Sequence, residues 1–407
     1  MKIPEFKSQV ASTLKMPRIH DETFRDGMQD PRVKLLSPDE AIDIFHSMVA
    51  IGTESASAGF PGASDRHRAL AKALAQTNQE LGSPVELGCL SRLKESDVNS
   101  VKEVIDSSSY PFRMLFFIAA DTQRILAEKW DKNEILKAIE KHTKEASSNG
   151  LKASLAIENC IQGIHEDPEF IAKIFLTHLN NGGDRVCIAD TTGRFNHLEV
   201  GEAVKWTRNL LNINGFKNVG IDFHGHNDLQ SAVANSLEAI KNGADQIDVT
   251  GLGIGERCGN TDRLTFELHL AKLGLNPHNI KSLVPYTEKL SKASGREIPN
   301  QYPGLGEDSR AITSGTHAAA IYKASQKQDP DSLYIALNYE KLLNIRPRYI
   351  VQLGPQSGKG NLLLFAQVNE LNPENYDLDK ILETAKRANQ PLSQEEAFNL
   401  FKKYKMV

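Results

Sequence analysis

Short apolar runs alternate along the chain with longer stretches of helical periodicity, repeating about every 30 residues. Eight runs read as strands, at 18–24, 54–60, 84–90, 112–120, 153–158, 185–190, 219–226 and 246–253. The intervening segments carry helix signals. Ser37-Pro38-Asp39-Glu40 offers a cap, a proline at the first helical position and a capping-box glutamate. Ala41, Ile44, Phe45 and Met48 then recur on one helical face, and Gly52 marks the end. Segments 229–242 and 262–273 stop the same way, at Gly243 and Gly274. Eight βα units predict an α/β fold, a closed (β/α)8 barrel with functional residues at the C-terminal ends of the strands. An open doubly wound sheet is the rival arrangement.

From residue 276 the pattern turns mainly helical, with helices expected at 278–293, 306–325, 332–344 and 377–388. A last helix, Ser393 to Lys405, carries its own Ser393/Glu396 capping box. Loops containing Pro303, Pro330, Pro347 and Pro373 separate these pieces. The expected division is a lead over 1–17, a TIM-barrel catalytic domain over 18–275 and a helical C-terminal region over 276–407.

Composition narrows the class. Apolar residues make up 40% and charged residues 25% of 407, and the formal net charge is −4. That balance suits a globular core and gives no electrostatic reason to expect nucleic acid or an anionic membrane as partner. No run approaches the roughly 18 apolar residues of a membrane helix, and the N-terminus lacks a signal-peptide centre. Cys89, Cys160, Cys187 and Cys258 lie far apart without a CxxC pair. They read as reduced thiols of a cytoplasmic protein.

The sharpest candidate chemistry is His224-Gly225-His226 at the end of the seventh strand. Residues i and i+2 of a strand share a face, so both imidazoles point into the barrel mouth. In a closed barrel the seventh, eighth and first strands are neighbours. Asp26, His224, His226 and Asn260 could then converge on one divalent cation, which an open sheet does not permit. Mixed nitrogen and oxygen ligation suits Mn, Mg, Zn or Co without choosing among them. Gly354-Pro355-Gln356-Ser357-Gly358-Lys359-Gly360 looks like a phosphate loop. It has one residue too few between its glycines, no Ser or Thr after the lysine, and no expected place between a parallel strand and a helix.

Asp21 to Gln29 (DETFRDGMQ), HGHNDL (224–229) and GIGERCGN (253–260) together resemble the signatures of the metal-dependent aldolase and Claisen barrels, the DRE-TIM metallolyases. With GFPGAS (59–64), SGTH (314–317) and SGKGN (357–361), the chain is most similar to the 2-isopropylmalate, homocitrate and citramalate synthase family over residues 18–365. The resemblance implies condensation of an acyl-CoA, usually acetyl-CoA, with a 2-oxo acid, followed by thioester hydrolysis. It implies that Asp26, His224, His226 and Asn260 hold the metal, that Arg25 stabilises charge on an oxygen, and that Gln29 and Thr191 contact substrate. It further implies catalytic roles for Glu158, for His317 and for an accompanying tyrosine, matched to Tyr339 with Tyr334 as competitor. Homodimers in amino-acid biosynthesis are the family habit. A chain ending at Val407 is expected to lack the family's C-terminal regulatory domain.

Three departures stand out. The family's strand-two glutamate, in E-x-G-F-P, is Ser57 here, which would leave Arg25 without a carboxylate partner; Glu54 is expected to face the other way. Ala156 replaces a serine two residues before Glu158, and Ala119-Ala120 stands where a serine and histidine are common. These changes suggest the family chemistry on a different 2-oxo acid or acyl group. Two other readings stay open: a retro-aldol lyase of the 3-hydroxy-3-methylglutaryl-CoA lyase type, for which Cys258 sits too close to Asn260, and a catalytically retired barrel that binds a metal or ligand. A biotin-dependent carboxyltransferase is set aside because CIADTTG (187–193) lacks the expected lysine.

Overall fold

In the computed structural model, residues 14–82, 85–275, 279–327 and 333–406 are described. Residues 1–13 of the expected lead, the strand start at Pro84 and the helix starts at His278 and Ser332 lie outside them. Eight parallel strands close into a barrel: β1 (Arg18–Asp21), β2 (Ser55–Ser57), β3 (Glu86–Arg92), β4 (Arg113–Ala119), β5 (Ala153–Glu158), β6 (Arg185–Asp190), β7 (Gly220–Gly225) and β8 (Gln246–Val249). Closure comes from β8 pairing with β1, Ile19 beside Ile247 and Asp21 beside Val249. The rival open sheet is therefore excluded.

Alternation decides which residue serves which layer. Outward-facing Leu155, Ile157, Val186, Ile188, Ile221 and Phe223 are completely buried beneath the surrounding helices. Helix Pro38–Ile51 begins with the expected capping box, Ser37 accepting from the Glu40 N–H and Glu40 from the Ser37 N–H, and Gly52 closes it with φ 91°.

The chain divides into two compact units, Met1–Glu297 and Ile298–Val407. The division falls beyond the expected residue 275, and the reason is local. Helix Leu283–Ser294 belongs to the barrel unit because its Tyr286 hydroxyl donates to Asp21 Oδ2 at 2.8 Å. Arg263, fully buried, pairs with the same Asp21 oxygen and with Glu267, each at 2.8 Å.

The second unit is built on helices Gly315–Ser325, Tyr339–Leu343, Lys359–Val368, Leu378–Lys386 and Gln394–Lys403, with a small parallel pair, β9 (Ala311–Ile312) and β10 (Ile350–Val351). The helix expected from 306 starts only at Gly315, because Asp308–Arg310 forms a tight turn leading into β9. The one expected over 332–344 shrinks to five residues, and Lys359–Val368 was not expected at all. Its glycine-rich start hid it. That start does stand between a short parallel strand and a helix, contrary to expectation, but packing accounts for Gly360: a Cβ there would meet Ala319 Cα at 2.6 Å.

Candidate metal centre and its cavity

Four side chains meet at the C-terminal mouth of the barrel. Asp26 follows β1, His224 lies at the end of β7 with His226 just beyond it, and Asn260 lies in the loop after β8. All four are buried. Asp26 Oδ2 stands 3.5 Å from His224 Nε2 and 3.8 Å from His226 Nε2, while Asn260 Nδ2 donates to Asp26 Oδ1 at 2.7 Å. The loops after β7 and β8 are zipped together by backbone bonds from Asn227 to Gly259 and from Thr261 to Gly225, which sets His226 beside Asn260. Gly255 is required here. Its φ is +155°, and a Cβ would lie 2.0 Å from Asn260 Nδ2 and 2.8 Å from Asp26 Oδ1.

The donor set fits a divalent cation. Two buried polar atoms of the cluster, Asn260 Oδ1 and His226 Nδ1, have no hydrogen-bond partner among the described residues, and buried polar atoms rarely go unpaired without a reason. Asp26, His224 and His226 each present a ligand atom within 4.8 Å of the others. Their electrostatics are strongly perturbed. Burial opposes charge on His224, but Asp248, 3.3 Å from its Nδ1, and Asp26 outweigh it and lift the imidazole to about 9. Burial and the charge of His224 pull His226 down to about 4. Burial works against the charge of Asp26, yet Arg25 and His224 hold its carboxyl well below the usual carboxylate range.

Arg25 does not lack a carboxylate, as the loss of the strand-two glutamate suggested. Its Nε donates to Glu22 Oε2 at 2.8 Å and its Nη1 to Asp26 Oδ2 at 2.6 Å. Glu22 in turn meets His20 Nε2 at 3.2 Å, and His20 Nδ1 meets Ser55 Oγ at 2.8 Å. Burial raises the Glu22 carboxyl, but Arg25 and His20 more than reverse that. Ser57 Oγ is buried without a partner among the described residues. The Glu54 carboxylate accepts from the Ile19 N–H instead, at 3.4 Å.

A cavity of about 220 Å³ opens at this mouth, lined by Asp26, His224, His226, Arg25 and Gln29 together with Glu158 and Thr191. Burial raises the Glu158 carboxyl above its ordinary value. Thr191 Oγ1 is already an acceptor for the Asn159 N–H at 2.9 Å, so the hydroxyl expected to face substrate also braces the loop after β5. Cys258 is exposed and outside the lining.

In the second unit the ring of exposed His317 stacks on Tyr334, centroids 4.0 Å apart and 13° from parallel. Tyr339, the first choice of companion, is instead buried, and Gly304 lies against its ring. A short helix turns Tyr339 into the core, which spacing alone did not reveal.

Sequence reasoning missed Glu22 and Asp248. Both had a signal: each is a polar residue two positions after another inward-facing polar one, Glu22 just past β1 after His20 and Asp248 on β8 after Gln246.

The fold and the cluster together define a (β/α)8 barrel with a mixed imidazole, carboxylate and amide centre at its C-terminal mouth. The HMGL-like family matches residues 16–287, and the chain belongs to that family. It is 27% identical over 373 residues to homocitrate synthase AksA of Methanopyrus kandleri, covering 90% of this chain and 86% of that protein. It is 26% identical to the probable 2-isopropylmalate synthase of Methanosarcina mazei, covering 89% of this chain and 66% of that protein. Among solved structures, the HMG-CoA lyase of Bacillus subtilis superposes with a TM-score of 0.58 at 17% identity, covering 70% of this chain and 95% of that one. That likeness is one of fold. No helix among the described residues is long and apolar enough to cross a membrane.

Proposed function

We propose that the protein is a divalent-metal-dependent acyltransferase that condenses an acyl-CoA, acetyl-CoA in the first instance, with a 2-oxo acid and hydrolyses the thioester. The observation that carries this reading is the convergence of Asp26, His224, His226 and Asn260, with Asn260 Oδ1 left unpaired, beside an arginine fixed by two carboxylates. Those four residues would hold Mn, Mg, Zn or Co. A bound cation supplies polarisation of the keto group and charge neutralisation as an alkoxide develops.

The chain's own groups account for the rest. Arg25, permanently charged and tethered by Glu22, donates to oxygen as negative charge develops. Glu158, with its carboxyl raised by burial, is suited to hold and pass a proton at the cavity wall. The Thr191 hydroxyl spends its acceptor on Asn159, which leaves its O–H to donate to a substrate carboxylate. Gln29 at the rim is a further donor. His317 is assigned acid–base work on the acetyl group from the likeness of Ser314–His317 to the family motif; of the two tyrosines matched as its companion, Tyr339 is buried and Tyr334 stacks on the His317 ring, which favours Tyr334. A cytoplasmic homodimer with small-molecule substrates completes the reading.

The test is thiol release from acetyl-CoA across a panel of 2-oxo acids, with Mn or Mg supplied. Release with at least one of them, lost in Asp26→Asn, is expected. Cleavage of a 3-hydroxyacyl-CoA without any release would replace condensation by retro-aldol lysis, and silence in both assays despite bound metal would mark a retired barrel.

A further inference from the structure

The interior of an eight-stranded parallel barrel is ordinarily packed with bulky branched side chains. Below the metal cluster this chain has Ser154, Ala156 and Cys187 facing inward. The outward-facing neighbours on the same strands are 0% exposed, whereas inward-facing Ser154 and Cys187 retain 6%, Asp222 4%, Gln246 5% and Asp248 7%. Exposure inside a barrel is exposure to its cavity. The cavity is thus a shaft, running from the mouth past Ala156 to a floor of Ser154, Asp222 and Gln246. On β5, Glu158, Ala156 and Ser154 mark mouth, neck and floor by alternation.

The floor is rich in acceptors and, among the described residues, offers no unpaired cation. Arg185 is committed to Asp222, which its Nε meets at 2.9 Å. Both nitrogens of His20 are engaged, by Ser55 and Glu22. Gln246 gives one Nε2 hydrogen to Asp248 at 3.3 Å and leaves its carbonyl oxygen as an acceptor for the shaft. The Ser154 hydroxyl makes no hydrogen bond to a described residue. A second substrate carboxylate would therefore face Asp222 and Asp248 uncompensated. A purely apolar tip would expel water from Ser154 and Gln246 and replace none of its hydrogen bonds.

We infer that the shaft takes the side chain of the 2-oxo acid, and that this side chain is extended, not anionic, and ends in a hydrogen-bond donor. The inference rests on the condensation proposed above, because it seats the keto and carboxylate groups at the metal cluster.

Equilibrium binding to the full-length, Mn-loaded protein, without any acyl-CoA, tests it apart from turnover. The probes are pyruvate, 2-oxohexanoate, 2-oxoglutarate and 5-hydroxy-2-oxopentanoate, the last corrected for its open-chain fraction. The hydroxylated acid should bind about tenfold or more tighter than 2-oxohexanoate, its isostere, and tighter than 2-oxoglutarate. Ser154→Ala should narrow the first gap, and Ala156→Leu, which fills the neck, should turn the order toward pyruvate. Tightest binding of pyruvate or 2-oxoglutarate by the unaltered protein, equal binding of the hydroxylated and apolar acids, or binding of none would overturn the inference. The predicted order without thiol release from acetyl-CoA would overturn the condensation and leave the shaft assignment standing.

Discussion

Arg25 is held between Glu22 and Asp26, and that arrangement explains how the barrel tolerates Ser57. The register pairs His20 with Ser55, and their side chains touch inside the barrel. Two residues on, alternation brings Glu22 and Ser57 to the next inward level of the same strand pair. A carboxylate at either position can therefore reach the guanidinium, and here it comes from the residue just after β1. Glu22→Gln should lower kcat for thiol release roughly tenfold, the scale of one hydrogen bond between charged groups, with a smaller effect on KM for acetyl-CoA. Adding Ser57→Glu to Glu22→Ala should restore much of the loss. Full activity of Glu22→Gln, or no recovery in the double variant, would remove the tether from the mechanism. At this scale the sequence was legible where chemistry sits in contiguous motifs: Asp26, His224, His226 and Asn260 all come together. Glu22 went unassigned although Arg25 is only three residues away, because the turn that brings them together has no periodic signature, and spacing did not show that Tyr339 is buried while its competitor Tyr334 stacks on His317.

Among the barrel helices, His178 on Pro168–Asn180 shows how an element is pinned to the sheet. It is completely buried; its Nε2–H donates to the Ala153 carbonyl of β5 at 3.3 Å, so Nδ1 accepts from Thr143 on helix Lys132–Ser148 at 2.9 Å. Burial lowers this imidazole to about 4. The unfolded chain binds its proton near pH 6.5 and the folded chain only near 4, so His178 contributes stability above about pH 6.5 that is lost as pH falls toward 4. The shift corresponds to about 3 kcal/mol. Denaturant titrations of His178→Asn should show a shallower fall in stability between pH 6.5 and 4, and an unchanged slope would refute the assignment. The Arg263 network makes a second case. Arg263→Ala would leave the Asp21 and Glu267 carboxylates buried without their cation, a cost of about 3–5 kcal/mol that should lower the unfolding midpoint sharply. Elements were legible where caps and periodicity agreed, as at Ser37 and Ser393. They were not legible at Lys359–Val368, whose leading glycines read as loop, nor at the domain edge, where Tyr286 ties a helix beyond residue 275 to β1.

Across the whole molecule, the metal cluster should appear as a thermodynamic link. Asp26, His224, His226 and Asn260 come from three separate strand ends, so a ligand that binds all four binds only the closed barrel and stabilises it by mass action. A cation at one hundred times its Kd adds about 2.7 kcal/mol, worth roughly 5 °C or more in the melting midpoint of a domain of a few hundred residues. The chain has two compact units, so a single two-state transition is not assumed. Calorimetry with and without Mn should therefore move the transition of Met1–Glu297 upward and leave that of Ile298–Val407 in place. Chelation should reverse the shift and Asp26→Asn should abolish it. A shift that survives in Asp26→Asn, or one confined to the second unit, would place the cation elsewhere and take the proposed chemistry away from the barrel mouth.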